Sequence, residues 1–151
     1  MTMNERGARR PAQRIAGALL VLAAATGLIS CAPDEAASLE PICQTFESSW
    51  NRLVDVRSGT EDLQIAAEAR TETVADWNDL GSREGPDDVT DMINAAATNL
   101  SNAWNSTTQG GRIGHEKSLK NAGDYVATRC AETGTSVTLS ELPAPLRPGA
   151  Q

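Results

Sequence analysis

Aromatic side chains are scarce in this chain: three tryptophans, one tyrosine and one phenylalanine among 151 residues. Lysine occurs only at Lys117 and Lys120, against eleven arginines, and the formal net charge is −7. Nucleic-acid binding draws on clustered Lys and Arg beside stacking rings, so no nucleic-acid partner is expected. His115 is the single histidine. Without a second ligand at helical spacing it makes a weak zinc signal, and Asp87, Asp88 and Asp91 are not spaced as a calcium loop. Gly110-Gly111 lacks the following Lys-Ser or Lys-Thr of a phosphate loop. No Ser-His-Asp arrangement stands out. The expectation is a non-enzymatic protein with no catalytic residue, no metal and no bound cofactor. No apolar run reaches the roughly 20 residues of a membrane-spanning helix either.

The longest uncharged apolar run is Ile15–Ile29. Arg6, Arg9, Arg10 and Arg14 precede it against one acidic residue, Glu5, and Ser30-Cys31 follow. A basic start and an apolar run of this length are the parts of an export signal. Leu28-Ile29-Ser30-Cys31 resembles the lipobox of bacterial lipoproteins: an aliphatic residue three before the cysteine, a small residue just before it, and the cysteine. The resemblance covers residues 1–31. It implies cleavage before Cys31 and a diacylglycerol on its thiol, so residues 1–30 would be a signal peptide and 31–37 a tether. The protein would then sit, lipid-anchored, on the extracytoplasmic face of a bacterial cell membrane. Several acyl chains on one cysteine bind far more firmly than a single chain. An ordinary secretory signal and an uncleaved anchor are the two other readings. The former would want small residues at −3 and −1, and no plain A-x-A site lies near the end of the run.

Without residues 1–30 the chain keeps nine basic and nineteen acidic residues, a charge of −10. Anionic lipid surfaces attract basic segments, so the lipid and not the protein surface would do the anchoring. If Cys31 carries the lipid, Cys43 and Cys130 remain as a pair in a compartment where disulfides persist. Two buried free thiols are the alternative. The high Arg-to-Lys ratio and abundant alanine hint at a GC-rich source. The whole arrangement resembles small lipoproteins of GC-rich Gram-positive bacteria, a likeness that implies no reaction.

Between residues 38 and 134 the apolar spacing predicts four helices. The first begins near Ser38, with Pro41 in its opening turn, and buries Leu39, Ile42, Cys43, Phe46, Trp50, Leu53 and Val54. The second follows a capping box at Ser58-Gly59-Thr60-Glu61 and buries Leu63, Ala66, Ala67, Val74 and Trp77, with Arg70 breaking the stripe. The third opens at Pro86-Asp87-Asp88 with aspartate as its cap, and buries Val89, Met92, Ile93, Ala96, Leu100, Ala103 and Trp104. Asn105–Gly111 reads as a loop. The fourth helix covers roughly Ile113 to Thr133 and ends at Gly134. Thr135–Leu142 reads as an extended strap and the proline-bearing remainder, to Gln151, as a flexible tail.

Short loops between four helices predict an all-α, antiparallel up-down bundle. It would bring Cys43, near the start of the first helix, beside Cys130, near the end of the fourth.

Trp50, Trp77 and Trp104 lie 27 residues apart and each precedes an asparagine. Two readings are open: plugs at the poles of the bundle, or a partner-contact patch built on an exposed ring. A duplicated helix-plus-loop would also produce the spacing. From Glu61 to Asp91 there are ten acidic and two basic residues, so Asp87 and Asp88 are further candidates for contact with a basic partner. A solvated helix surface is the plainer reading. The expected function is a tethered, acidic module for protein–protein contact, its partner an unidentified envelope protein. The alternatives are a carrier of a small apolar or cationic ligand, or a prophage-type lipoprotein that excludes superinfection.

Overall fold

Side-chain oxygens and a proline, not the apolar stripes, decide where the helices start. The structure is a computed structural model and describes residues 35–143, with side chains from Ser38 onward. The signal stretch, Cys31, the first part of the tether and the tail from residue 144 lie outside the described residues.

Four helices span Glu35–Gly59 (α1), Leu63–Leu80 (α2), Asp87–Asn105 (α3) and Gln109–Glu132 (α4). The described residues contain no strand. Helix α1 begins earlier than Ser38, so its helical part takes in the last residues assigned to the tether. Pro41 therefore stands in the second turn, where its missing N–H leaves one gap in the ladder. Helix α2 is capped by Asp62, whose Oδ1 accepts from the backbone N of Gln64 at 2.8 Å and of Ile65 at 3.4 Å. The box at Ser58–Glu61 is displaced because this carboxylate lies closer to the orphan N–H groups; Thr60 Oγ1 instead accepts from Asp62 N. Helix α3 starts behind Pro86, which has no side-chain cap bond, so aspartate is not its cap. Asp87 and Asp88 instead occupy the first turn, at the positive end of the dipole.

Helix α4 starts at Gln109, inside the stretch expected to be a loop. Thr108 Oγ1 accepts from Gly111 N at 3.1 Å, and this cap offsets part of the poor helix propensity of Gly110 and Gly111. Its far end closes with a Schellman motif: Thr135 N donates to Cys130 O and Gly134 N to Ala131 O. Gly134 sits there at φ 94°, the left-handed region glycine tolerates.

Every apolar position predicted for α1 is no more than 5 % exposed. Helix α2 differs. Its buried positions are Ala66, Ala69, Thr73, Trp77 and Leu80, while Leu63 is 36 % exposed. The stripe is rotated because Thr73 can face inward: its hydroxyl donates to Ala69 O at 2.8 Å, leaving no orphan polar group. Met92 and Trp104, expected inside α3, are only half-buried, and Thr90 and Ala97 join its core face.

Consecutive helices pack on one another, most closely α3 on α4, and α1 also meets α4 more sparsely. Buried alanines at 96, 97, 103 and 122 suit the close pairing. Across the sparse seam, Cys43 and Cys130 form a disulfide with Cα atoms 5.9 Å apart, both cysteines fully buried. Residues 135–143 then run over the seam, with Val137, Leu139 and Leu142 packed on the core.

Candidate functional site

The sequence-selected residues do not converge on one site. Two of the three tryptophans belong to the interior. Phe46, Trp50 and Trp77 form an aromatic knot with ring centroids 5.2–5.8 Å apart. Trp77 is fully buried and its Nε1 donates to Ser49 Oγ at 2.7 Å; Ser49 in turn donates to Phe46 O at 3.0 Å. Trp50 is 2 % exposed, and its Nε1 donates to Ser140 O at 2.9 Å. Neither ring offers surface to a partner in this conformation.

Trp104 differs from the other two. It is half-buried and lies under Arg70, whose guanidinium carbon is 5.0 Å from the ring centroid, a cation–π distance. The Nε of Arg70 is buried with no acceptor among the described residues, while its Nη2 donates to Thr71 Oγ1 at 3.2 Å. The residue that broke the α2 stripe thus lies against the third tryptophan.

Asp87 is exposed, and Asp88 pairs with Arg129 of the same chain. Arg129 Nε donates to Asp88 Oδ2 at 2.7 Å, and Tyr125 Oη donates to the same oxygen at 2.8 Å. Arg129 Nη1 also donates to Glu132 Oε2 at 2.7 Å. The Arg129 bond first, and the Tyr125 bond second, hold the Asp88 carboxyl below its ordinary value of 3.8. The same bond pushes the Tyr125 phenol up, and Glu132 with Asp88 keeps Arg129 more firmly charged. Because the folded state lowers the Asp88 value, the pairing stabilises fully above the ordinary carboxylate range. That contribution is lost as pH falls through the lowered value. Asp88→Asn is thus expected to lower the urea midpoint at neutral pH, by an amount that shrinks progressively below pH 3.8. A gap that stays constant down to about pH 2 would remove this pairing from the stability of the fold.

Three further features were not legible in the sequence. Arg57 and Glu116 form an ion pair at 3.0 Å with side chains only 10 % and 20 % exposed, joining the end of α1 to the start of α4. Arg57 also donates to Pro143 O at 3.2 Å. His115 Nδ1 lies 3.2 Å from Asn99 Oδ1, which ties α4 to α3. An open groove of about 260 Å³ between α1 and α2 is lined by Gln44, Thr45, Ser48, Ser49, Arg52 and Asp76. Arg52 and Asp76 pair across it at 2.7 Å. Only charge complementarity between distant segments could have pointed to these pairs, and several arginines and acids compete for each. Among the described residues, no group of three or more His, Cys, Asp or Glu is placed to hold a metal ion, and no helix is long and apolar enough to cross a membrane.

No protein-family model, curated protein or solved structure matches this chain.

Proposed function

We propose that this protein is a lipid-anchored extracytoplasmic module that holds a protein partner and carries no catalytic centre of its own. The observation that carries the reading is the pairing of Cys43 with Cys130, which uses two of the three cysteines. The third is Cys31, at the end of a basic, apolar, lipobox-like stretch. Disulfides persist outside the reducing cytosol, so export and the Cys43–Cys130 bond support each other.

We infer that the four helices alternate up and down. Advancing along α1 from Cys43 to Arg57 goes with retreating along α4 from Cys130 to Glu116. The same reversal appears between α2 and α3, where Arg70 meets Trp104 and Gly81 meets Asn94. Between α3 and α4, Asp88 meets Arg129 and Asn99 meets His115. In this arrangement the start of α1 and the end of α4 share a pole, which the tether would hold near the bilayer. The ends of α1 and α3 then face away from the membrane, with half-buried Trp104 among the surfaces open to a partner.

Labelled fatty acid fed to expressing cells should enter the wild-type protein and be absent from Cys31→Ala. Equal labelling of the two would overturn the anchor. In-cell crosslinking of the anchored protein tests the partner: a crosslinked neighbour is expected, and a chain that yields none at any salt concentration would overturn that half of the reading.

A further inference from the structure

The strap, residues 135–143, is held the way a bound peptide is held. Its side chains alternate: Thr135, Val137 and Leu139 are half-buried, while Ser136, Thr138 and Ser140 are exposed. Most of the polar contact goes to its backbone. Glu47 Oε1 accepts from Thr138 N at 2.8 Å, and Asn51 Nδ2 donates to Thr138 O at 3.0 Å. Asn51 Oδ1 accepts from Ser140 N at 2.8 Å, and Trp50 Nε1 donates to Ser140 O at 2.9 Å. Arg57 takes the Pro143 carbonyl. Side chains of α1 thus satisfy the N–H and C=O of alternate residues, as a neighbouring β-strand does when an extended peptide is added to a sheet edge.

The floor is shaped for the intervening side chains. A Cβ on Gly123 would lie 2.7 Å from the Trp50 ring and 3.2 Å from Leu139 Cδ1, so the bare glycine of α4 makes the socket that Leu139 approaches. Backbone recognition of this kind reads little sequence beyond the apolar positions. The hold is also shallow: no strap residue is fully buried, and segments with few buried contacts open locally at low free-energy cost.

We propose that the groove between α1 and α4 is a binding site for an extended segment of a partner protein, with the strap as its resident occupant. The ligand has apolar side chains at alternate positions, as Val137 and Leu139 do. It has no proline where Thr138 and Ser140 stand, since both N–H groups are used. It brings a carbonyl to Trp50, because displacing the strap leaves that buried indole N–H without its acceptor. This site rests on the reading of the protein as a partner-holding module but not on the anchor. Equal fatty-acid labelling of wild type and Cys31→Ala would remove the anchor and leave the groove to be tested as before.

A fluorescent peptide with the sequence of residues 135–143 can be titrated into the full oxidised chain in detergent, in wild type and in Val137→Ser/Leu139→Ser. A resident occupant lowers apparent affinity by the fraction of time the site is open. The double variant should therefore bind at least about tenfold more tightly than wild type. Adding Asn51→Ala should cancel most of that gain, and a peptide with proline in place of Ser140 should not bind. Absence of saturable binding to the double variant with helical circular dichroism retained would overturn the proposal. So would equal binding of the proline peptide, or strap exchange between copies that excludes the added peptide. If the double variant does not fold, hydrogen exchange on wild type decides. The Thr138 and Ser140 amides should exchange far faster than those of the α4 core, and equal protection would mean the strap does not open.

Discussion

Replacing Cys43 and Cys130 together by alanine is expected to lower the melting temperature by on the order of 20 °C or more. The bond closes a separation of 87 residues, and for a loop of that size chain entropy alone predicts roughly 4–5 kcal/mol. Four described helices of 18 to 25 residues make a small domain, and small domains have only about 5–15 kcal/mol in total. At about 4–8 °C per kcal/mol for a domain of this size the shift is large. The position of the bond adds to its effect. It lies on the α1–α4 seam, where helix–helix contact is much sparser than between consecutive helices, so once it is gone little beyond the Arg57–Glu116 pair and the strap holds α1 on α4. Thermal unfolding followed by circular dichroism checks the result, with mass analysis to confirm loss of the bridge. A shift of only a few degrees would mean that the strap and the Arg57–Glu116 pair keep the seam closed unaided.

Trp77→Ala is expected to cost about 3–5 kcal/mol, the range for removing a large buried aromatic side chain. Trp77 is fully buried, stacks on Trp50 at 5.8 Å and packs at a tilt against Phe46 at 5.2 Å. Its indole N–H also satisfies Ser49. Trp77→Phe keeps most of the ring packing and removes that bond, so about 1 kcal/mol is expected for it. Trp104→Ala should cost far less, since its ring is half-buried and its specific contact is a cation–π pair worth about 0.5–1 kcal/mol near a surface. Urea unfolding of the three variants gives the ranking. Equal losses at Trp77 and Trp104 would restore the idea that the evenly spaced tryptophans play one repeated role.

Much of this was written in local spacing. The α1 stripe, the start of α3 near residue 87, the glycine stop after α4 and the Cys43–Cys130 pairing follow from helical periodicity and cysteine arithmetic. The errors share a cause. A short polar side chain that satisfies itself on the backbone can sit where the pattern asks for an apolar one, as Thr73 does in α2. A good cap can start a helix on glycines, as Thr108 does in α4. The aromatic knot was half visible, because the spacing of Trp50 and Trp77 placed them on apolar faces. Its hydrogen bonds to Ser49 and Ser140 were not, since they join segments 28 and 90 residues apart. The groove beneath the strap was invisible for the same reason: Glu47, Asn51 and Arg57 look like ordinary solvated positions until the chain returns to lie against them. What the protein acts on was never local information, and the pairing of Asp88 with Arg129 joins residues 41 apart in the sequence, beyond the reach of local spacing.

The disulfide also sets how the protein carries mechanical load. Tension entering ahead of Cys43 and leaving beyond Cys130 passes through the sulfur bridge, and the 87-residue span between them is bypassed. Of α1, only the turns before Cys43 can be drawn out, and beyond Cys130 only the last residues of α4 and the strap. A pull from outside would therefore strip the strap from α1 while leaving α2 and α3 under no tension.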